Sequence, residues 1–111
     1  MAQQGKQQAT KLVRNGVQVI QGTPTEPIVR ATLFLRLLRV QGPKKTEVTR
    51  ASLSMVRPGR GDYVIKELIP DMELSPSAAL DKAVAIAKRG DVTTIYLNAD
   101  LAKLPRQPRA A

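Results

Sequence analysis

From Val29 to Leu37 every second position is apolar: Val29, Ala31, Leu33, Leu35 and Leu37 alternate with Arg30, Thr32, Phe34 and Arg36. A period of two places alternate side chains on opposite faces of a strand, so this segment reads as a strand with one oily face. A helical reading competes over residues 24–41. Thr23 and Glu26 have capping-box spacing, Pro24 suits a first turn, and Gly42-Pro43 makes a stop. Against the helix, Pro27 would fall inside the first turns and the arginines would scatter around the wheel. The alternation is the cleaner pattern.

Extending the strand reading tests its consistency. A five-residue loop at 42–46 sets Leu35 and Leu37 on the same face as Ala51, Leu53 and Met55. A second turn at 57–61 adds Tyr63 and Ile65 to that face. The opposite face then collects Arg30, Thr32, Phe34, Arg36, Arg50, Ser52, Ser54 and Lys66, with Leu38, Val48, Val56 and Val64 among them. Earlier in the chain, Val17, Val19 and Ile20 form a short strand between Gly16 and Gly22.

The best-marked helix runs from about Pro76 to Arg89. Ser75 is placed to cap it, Pro76 fits its first position, and Lys88 and Arg89 favour the negative end of its dipole. Gly90 would supply a left-handed stop. Leu80, Ala83, Val84 and Ala87 form one apolar stripe that would cover a sheet, and the β-rich run Val92 to Leu97 returns as a strand. The expected fold is therefore α+β: an antiparallel sheet of about four to five strands with one helix, in the C-terminal half, packed on one face. The polar, Gln-rich residues 1–10 read as a disordered arm, 11–101 as a single domain, and 102–111 as a flexible basic tail.

If 24–41 were helical, the order would become strand, helix, strand, strand, helix, strand over roughly residues 17–98. That order is similar to the ferredoxin-like βαββαβ arrangement of RNA-recognition-motif domains. The aromatics which that family carries on its two central strands are missing from Val17-Gln18-Val19-Ile20, and Arg60 to Val64 offers Tyr63 alone. The meander followed by a helix is also loosely similar to small RNA-phage coat proteins.

Charge changes the picture more than composition does. Of the formal net charge of +9, residues 30–60 hold eight bases (Arg30, Arg36, Arg39, Lys44, Lys45, Arg50, Arg57, Arg60) against Glu47 alone, whereas residues 61–100 are net acidic. A basic stretch confined to one segment is the footprint of a polyanion contact. The expected function is binding of DNA or RNA through the phosphate backbone. Arg30, Arg36, Arg50 and Lys66 would form the sheet face; Lys44, Lys45, Arg57 and Arg60 would be loop contacts, with Arg39 beside them. Phe34 is positioned to stack on a base, and Lys103, Arg106 and Arg109 would add affinity without selectivity.

The chain has no histidine and no cysteine, which removes Ser-His, Cys-His and zinc-thiolate chemistry. The acids Asp71 and Glu73, near the helix cap, suit solvation and the helix dipole better than a hydrolytic pair. No Gly-Lys-Ser/Thr phosphate loop is present, and the two Arg-Gly-Asp tripeptides, 60–62 and 89–91, are short enough to arise by chance. The chain is expected not to be an enzyme and to need no metal, cofactor or small-molecule substrate. Arginines interrupt the longest apolar stretches, as in Leu33 to Arg39, so a soluble cytoplasmic protein with no membrane span is expected. The rival functions are a self-assembling, coat-like homo-oligomer that packages nucleic acid, and a regulator or inhibitor that docks its basic face on another protein.

Overall fold

The computed structural model describes residues 11–106, and the expected arm 1–10 and residues 107–111 of the expected tail lie outside them. Six strands and one helix follow in the order β1 (Lys11–Arg14), β2 (Val17–Gln21), β3 (Thr32–Gln41), β4 (Glu47–Pro58), β5 (Tyr63–Glu73), α1 (Pro76–Arg89) and β6 (Thr94–Leu97). They form one open sheet of order β1-β2-β6-β3-β4-β5. The architecture is α+β, as expected, and 32–41 is a strand. This excludes the helical alternative and with it the ferredoxin-like order.

The expected all-antiparallel sheet of four to five strands is corrected to a mixed sheet of six. The hairpin β1–β2 and the meander β3–β4–β5 are antiparallel units, and β6 runs parallel to both β2 and β3 between them. The cause is α1. It carries the chain back across one face, so the last strand enters the gap left between β2 and β3 instead of adding at an edge.

Helix α1 forms as its signals require. The Ser75 hydroxyl accepts from Ala78 N at 3.2 Å, and Pro76 occupies the first turn. Its buried stripe is Ala79, Ala83, Val84 and Ala87, with Leu80 half-buried beside it. The left-handed stop falls one residue later than expected: Gly90 has φ −100°, and Asp91 takes φ 57°. The stripe lies chiefly over β2, β6, β3 and β4, where Val17, Val19, Ile95, Leu33, Leu35, Ala51 and Leu53 complete the core.

The register of β3 and β4 is the expected one, with Leu35 opposite Leu53 and Leu37 opposite Ala51. That of β4 and β5 is not. The pairing begins at Pro58 opposite Tyr63, so the loop is 59–62, four residues, not the expected five. Tightness at its start fits the residue there: a Cβ on Gly59 would stand 2.6 Å from Asp62 O. One residue of slip exchanges the faces of a strand. Tyr63 and Ile65 therefore lie away from the helix, and Lys66, opposite Met55, lies on the helix side.

On the face away from α1, Ile28, Phe34 and Val56 form a second, smaller buried cluster, packed by Tyr63, Tyr96, Ala99, Leu101 and Leu104. The segments before β3 and after β6 thus cover part of that face. Arg36, Leu38, Val40, Arg50, Ser52 and Ser54 line what they leave open.

Candidate nucleic-acid interface

The expected site residues separate into five places. Arg36 and Arg50 share the open face, as read from the alternation. Arg36 stands directly across from Ser52, and the two belong to two adjoining grooves of about 470 Å³ and about 380 Å³. The first is also lined by Ser54 and Asp100, the second by Arg50, Glu67 and Asp71. Arg50 is engaged: its Nε donates to Asp71 Oδ2 at 3.2 Å and its NH2 group to the Asp71 carbonyl at 3.1 Å. Three carboxylates against two guanidiniums make this face amphoteric, which the charge of residues 30–60 alone did not reveal.

Phe34 and Lys66 are the departures. Phe34 is 5% exposed and stacks on Tyr96, ring centroids 5.4 Å apart, so no ring face is left for a base. Lys66 belongs to the helix side for the register reason given above.

Lys44 and Lys45 sit in the 3-10 turn Pro43–Lys45 between β3 and β4, both with left-handed backbone, φ 58° and 60°. Gly42 N donates to Thr46 O at 2.6 Å and Thr46 Oγ1 to Pro43 O at 2.8 Å, which fastens the loop beneath the two lysines. Arg39 stands nearby and faces Glu47 at 3.8 Å with both side chains exposed, a pairing of little strength.

Arg30, Arg57 and Arg60 collect at the other end of the meander. The element that assembles them is Tyr63. Its hydroxyl accepts from Ile28 N at 3.1 Å and donates to Pro105 O at 2.6 Å. One oxygen therefore ties together the approach to β3, the start of β5 and the segment after β6. Each brings an arginine: Arg30 two residues after Ile28, Arg57 and Arg60 beside and within the 59–62 loop, and Arg106 next to Pro105. All four are exposed. The acids in these segments are Glu26 and Asp62, and Asp62 Oδ1 already accepts from Tyr63 N at 2.8 Å. Of the expected basic tail, residues 102–106 are thus seated against the domain, with Leu104 in the second cluster.

Sequence reasoning missed the part played by Tyr63, because the five-residue turn placed its ring under the helix. The tightness at Gly59 that marks the shorter loop is a property of the folded backbone and is not written in the residue types of 57–62.

The two basic ends are far apart. At ~3.3 Å per residue, the 12 residues of β4 that separate them span roughly 40 Å. Among the described residues no group of three or more acids could hold a metal ion. No helix among them is long and apolar enough to cross a membrane. No family model, curated protein or solved structure matches the chain.

Proposed function

We propose that the domain binds the phosphate backbone of a nucleic acid at the sheet end bearing Arg30, Arg57, Arg60 and Arg106. The observation that carries this reading is the Tyr63 hydroxyl, which gathers at one sheet end three segments distant in sequence, each bearing exposed arginine. Guanidiniums suit phosphate oxygens because their donors form a planar fork. Four such contacts would release counterions and make log K fall with log salt at a slope of about −3 to −4. Lys44 and Lys45 form a second contact point. The open face contributes less, since Glu67, Asp71 and Asp100 offset its arginines. With Phe34 buried, readout rests on backbone and shape, not on stacked bases. The test is titration of nuclease-treated protein into labelled single- and double-stranded oligonucleotides at several salt concentrations. Saturable, salt-sensitive binding supports the proposal, and its absence at low salt refutes it.

A second reading, assembly of copies through apolar side chains on the outer strands, is favoured by one observation. Both edge strands expose apolar side chains, Leu12 and Val13 on β1 and Val64, Ile65 and Met72 on β5. Light scattering on the nucleic-acid-free protein distinguishes the readings, because assembly yields large particles.

A further inference from the structure

On the helix side of the sheet, α1 stops short of the edge. Its alanine stripe lies over the inner strands, and β5 projects beyond it. A groove of about 360 Å³ runs between them, walled by Leu68, Ile69 and Met72 on β5 and by Ala85 and Ile86 on α1. Lys82 and Arg89 stand along its helix wall, seven residues apart and so ~10 Å along the axis. Neither forms an ion pair among the described residues, and no carboxylate lines the groove. Lys66 extends the cationic border, being on the same side of β5.

We propose that this groove receives an amphipathic helix from another protein, one with an aliphatic stripe flanked by acidic residues. The wall chemistry selects this occupant. The half-buried Leu68, Ile69 and Ile86 with the exposed Met72 accept an i, i+3, i+4, i+7 stripe, and the cations at the rim require carboxylates beside it. A second copy of the chain related by a two-fold axis would set Lys82, Arg89 and Lys66 against their own counterparts. An added strand is a poor fit. The β5 edge is broken by register shifts between its pairings with Ala51, Leu53 and Ser54, and Pro70 has no N–H to donate. The site lies on the opposite side of the sheet from the grooves at Arg36 and does not depend on nucleic-acid binding.

The experiment uses the full chain and a fluorescein-labelled helical peptide of about 15 residues, with leucines at the stripe positions and glutamates on both flanks. A matched peptide carries lysines in place of the glutamates. Saturable binding of the glutamate peptide alone is expected. The exposed double change Lys82→Glu with Arg89→Glu should weaken it at least about tenfold and let the lysine peptide bind instead. Circular dichroism confirms that the variant keeps its fold. The proposal is overturned if the glutamate peptide does not bind, or if the charge reversal leaves its affinity unchanged. It is also overturned if the groove mediates a dimer that Met72→Glu dissolves, or if phosphatidylglycerol vesicles bind and the peptide does not.

Discussion

The Tyr63 hydroxyl donates a 2.6 Å hydrogen bond to the Pro105 carbonyl, 42 residues further along the chain. With the bond it accepts from Ile28 N, it closes the basic sheet end from two sides. Replacing Tyr63 with Phe keeps the ring in its cluster but leaves the partly buried Ile28 N–H without its acceptor. The variant should lose about 1–3 kcal/mol in chemical denaturation. With Arg106 released, its nucleic-acid affinity should also fall and its salt slope flatten by about 0.9, one phosphate contact, although no charge has been removed.

The length of the ligand should matter. The two basic ends are separated by the 12 residues of β4, roughly 40 Å, or about 12 steps at ~3.4 Å along a nucleic-acid strand. Duplexes shorter than this engage one end and longer ones both. Affinity measured against length should therefore rise sharply at about 12 base pairs, and Lys44→Glu with Lys45→Glu should remove the step.

Phe34 belongs to the fold and not to the ligand. It is buried against Ile28 and Val56 and stacked on Tyr96. Phe34→Ala should cost about 3–5 kcal/mol of stability. Below its lowered melting temperature, the folded variant should bind oligonucleotides as the parent does.

Tyr96 links this cluster to pH. Burial, and secondarily the Glu26 carboxylate, raise the pKa of its hydroxyl above the ordinary value. The folded state therefore holds the phenolic proton more tightly than the unfolded one. The resulting stability is fully present below the ordinary value of about 10 and is lost as pH rises through the folded value. Denaturation midpoints measured between pH 8 and 11 should fall at the alkaline end, less steeply in Tyr96→Phe than in the parent.

Local signals were readable where neighbours in sequence decide the structure. Ser75, Pro76 and the alanine-rich stripe define α1, and the Gly42 to Thr46 loop fixes the register of β3 on β4. The Asn15-Gly16 pair, with φ 52° and 82°, is a hairpin signal that also specifies β1, which the glycine-bounded strand reading leaves out. The position of β6 was not legible, because parallel pairing with β2 and β3 depends on where α1 returns the chain. The face of β5 depended on a single residue of loop length. At the candidate site, the sequence located the excess charge in residues 30–60 but not its distribution in space. A long β4 sends Lys44 and Lys45 to one end and Arg57 and Arg60 to the other. Meanwhile β5 brings Glu67 and Asp71 beside Arg36 and Arg50.

The most direct test compares two charge reversals in the same oligonucleotide titration across salt concentrations. Arg57→Glu with Arg60→Glu should weaken binding by at least about tenfold and flatten the salt slope by about two, whereas Arg36→Glu should stay within about twofold of the parent. Retained affinity in the first variant would contradict the account, and loss of binding in the second would move the site to the open face.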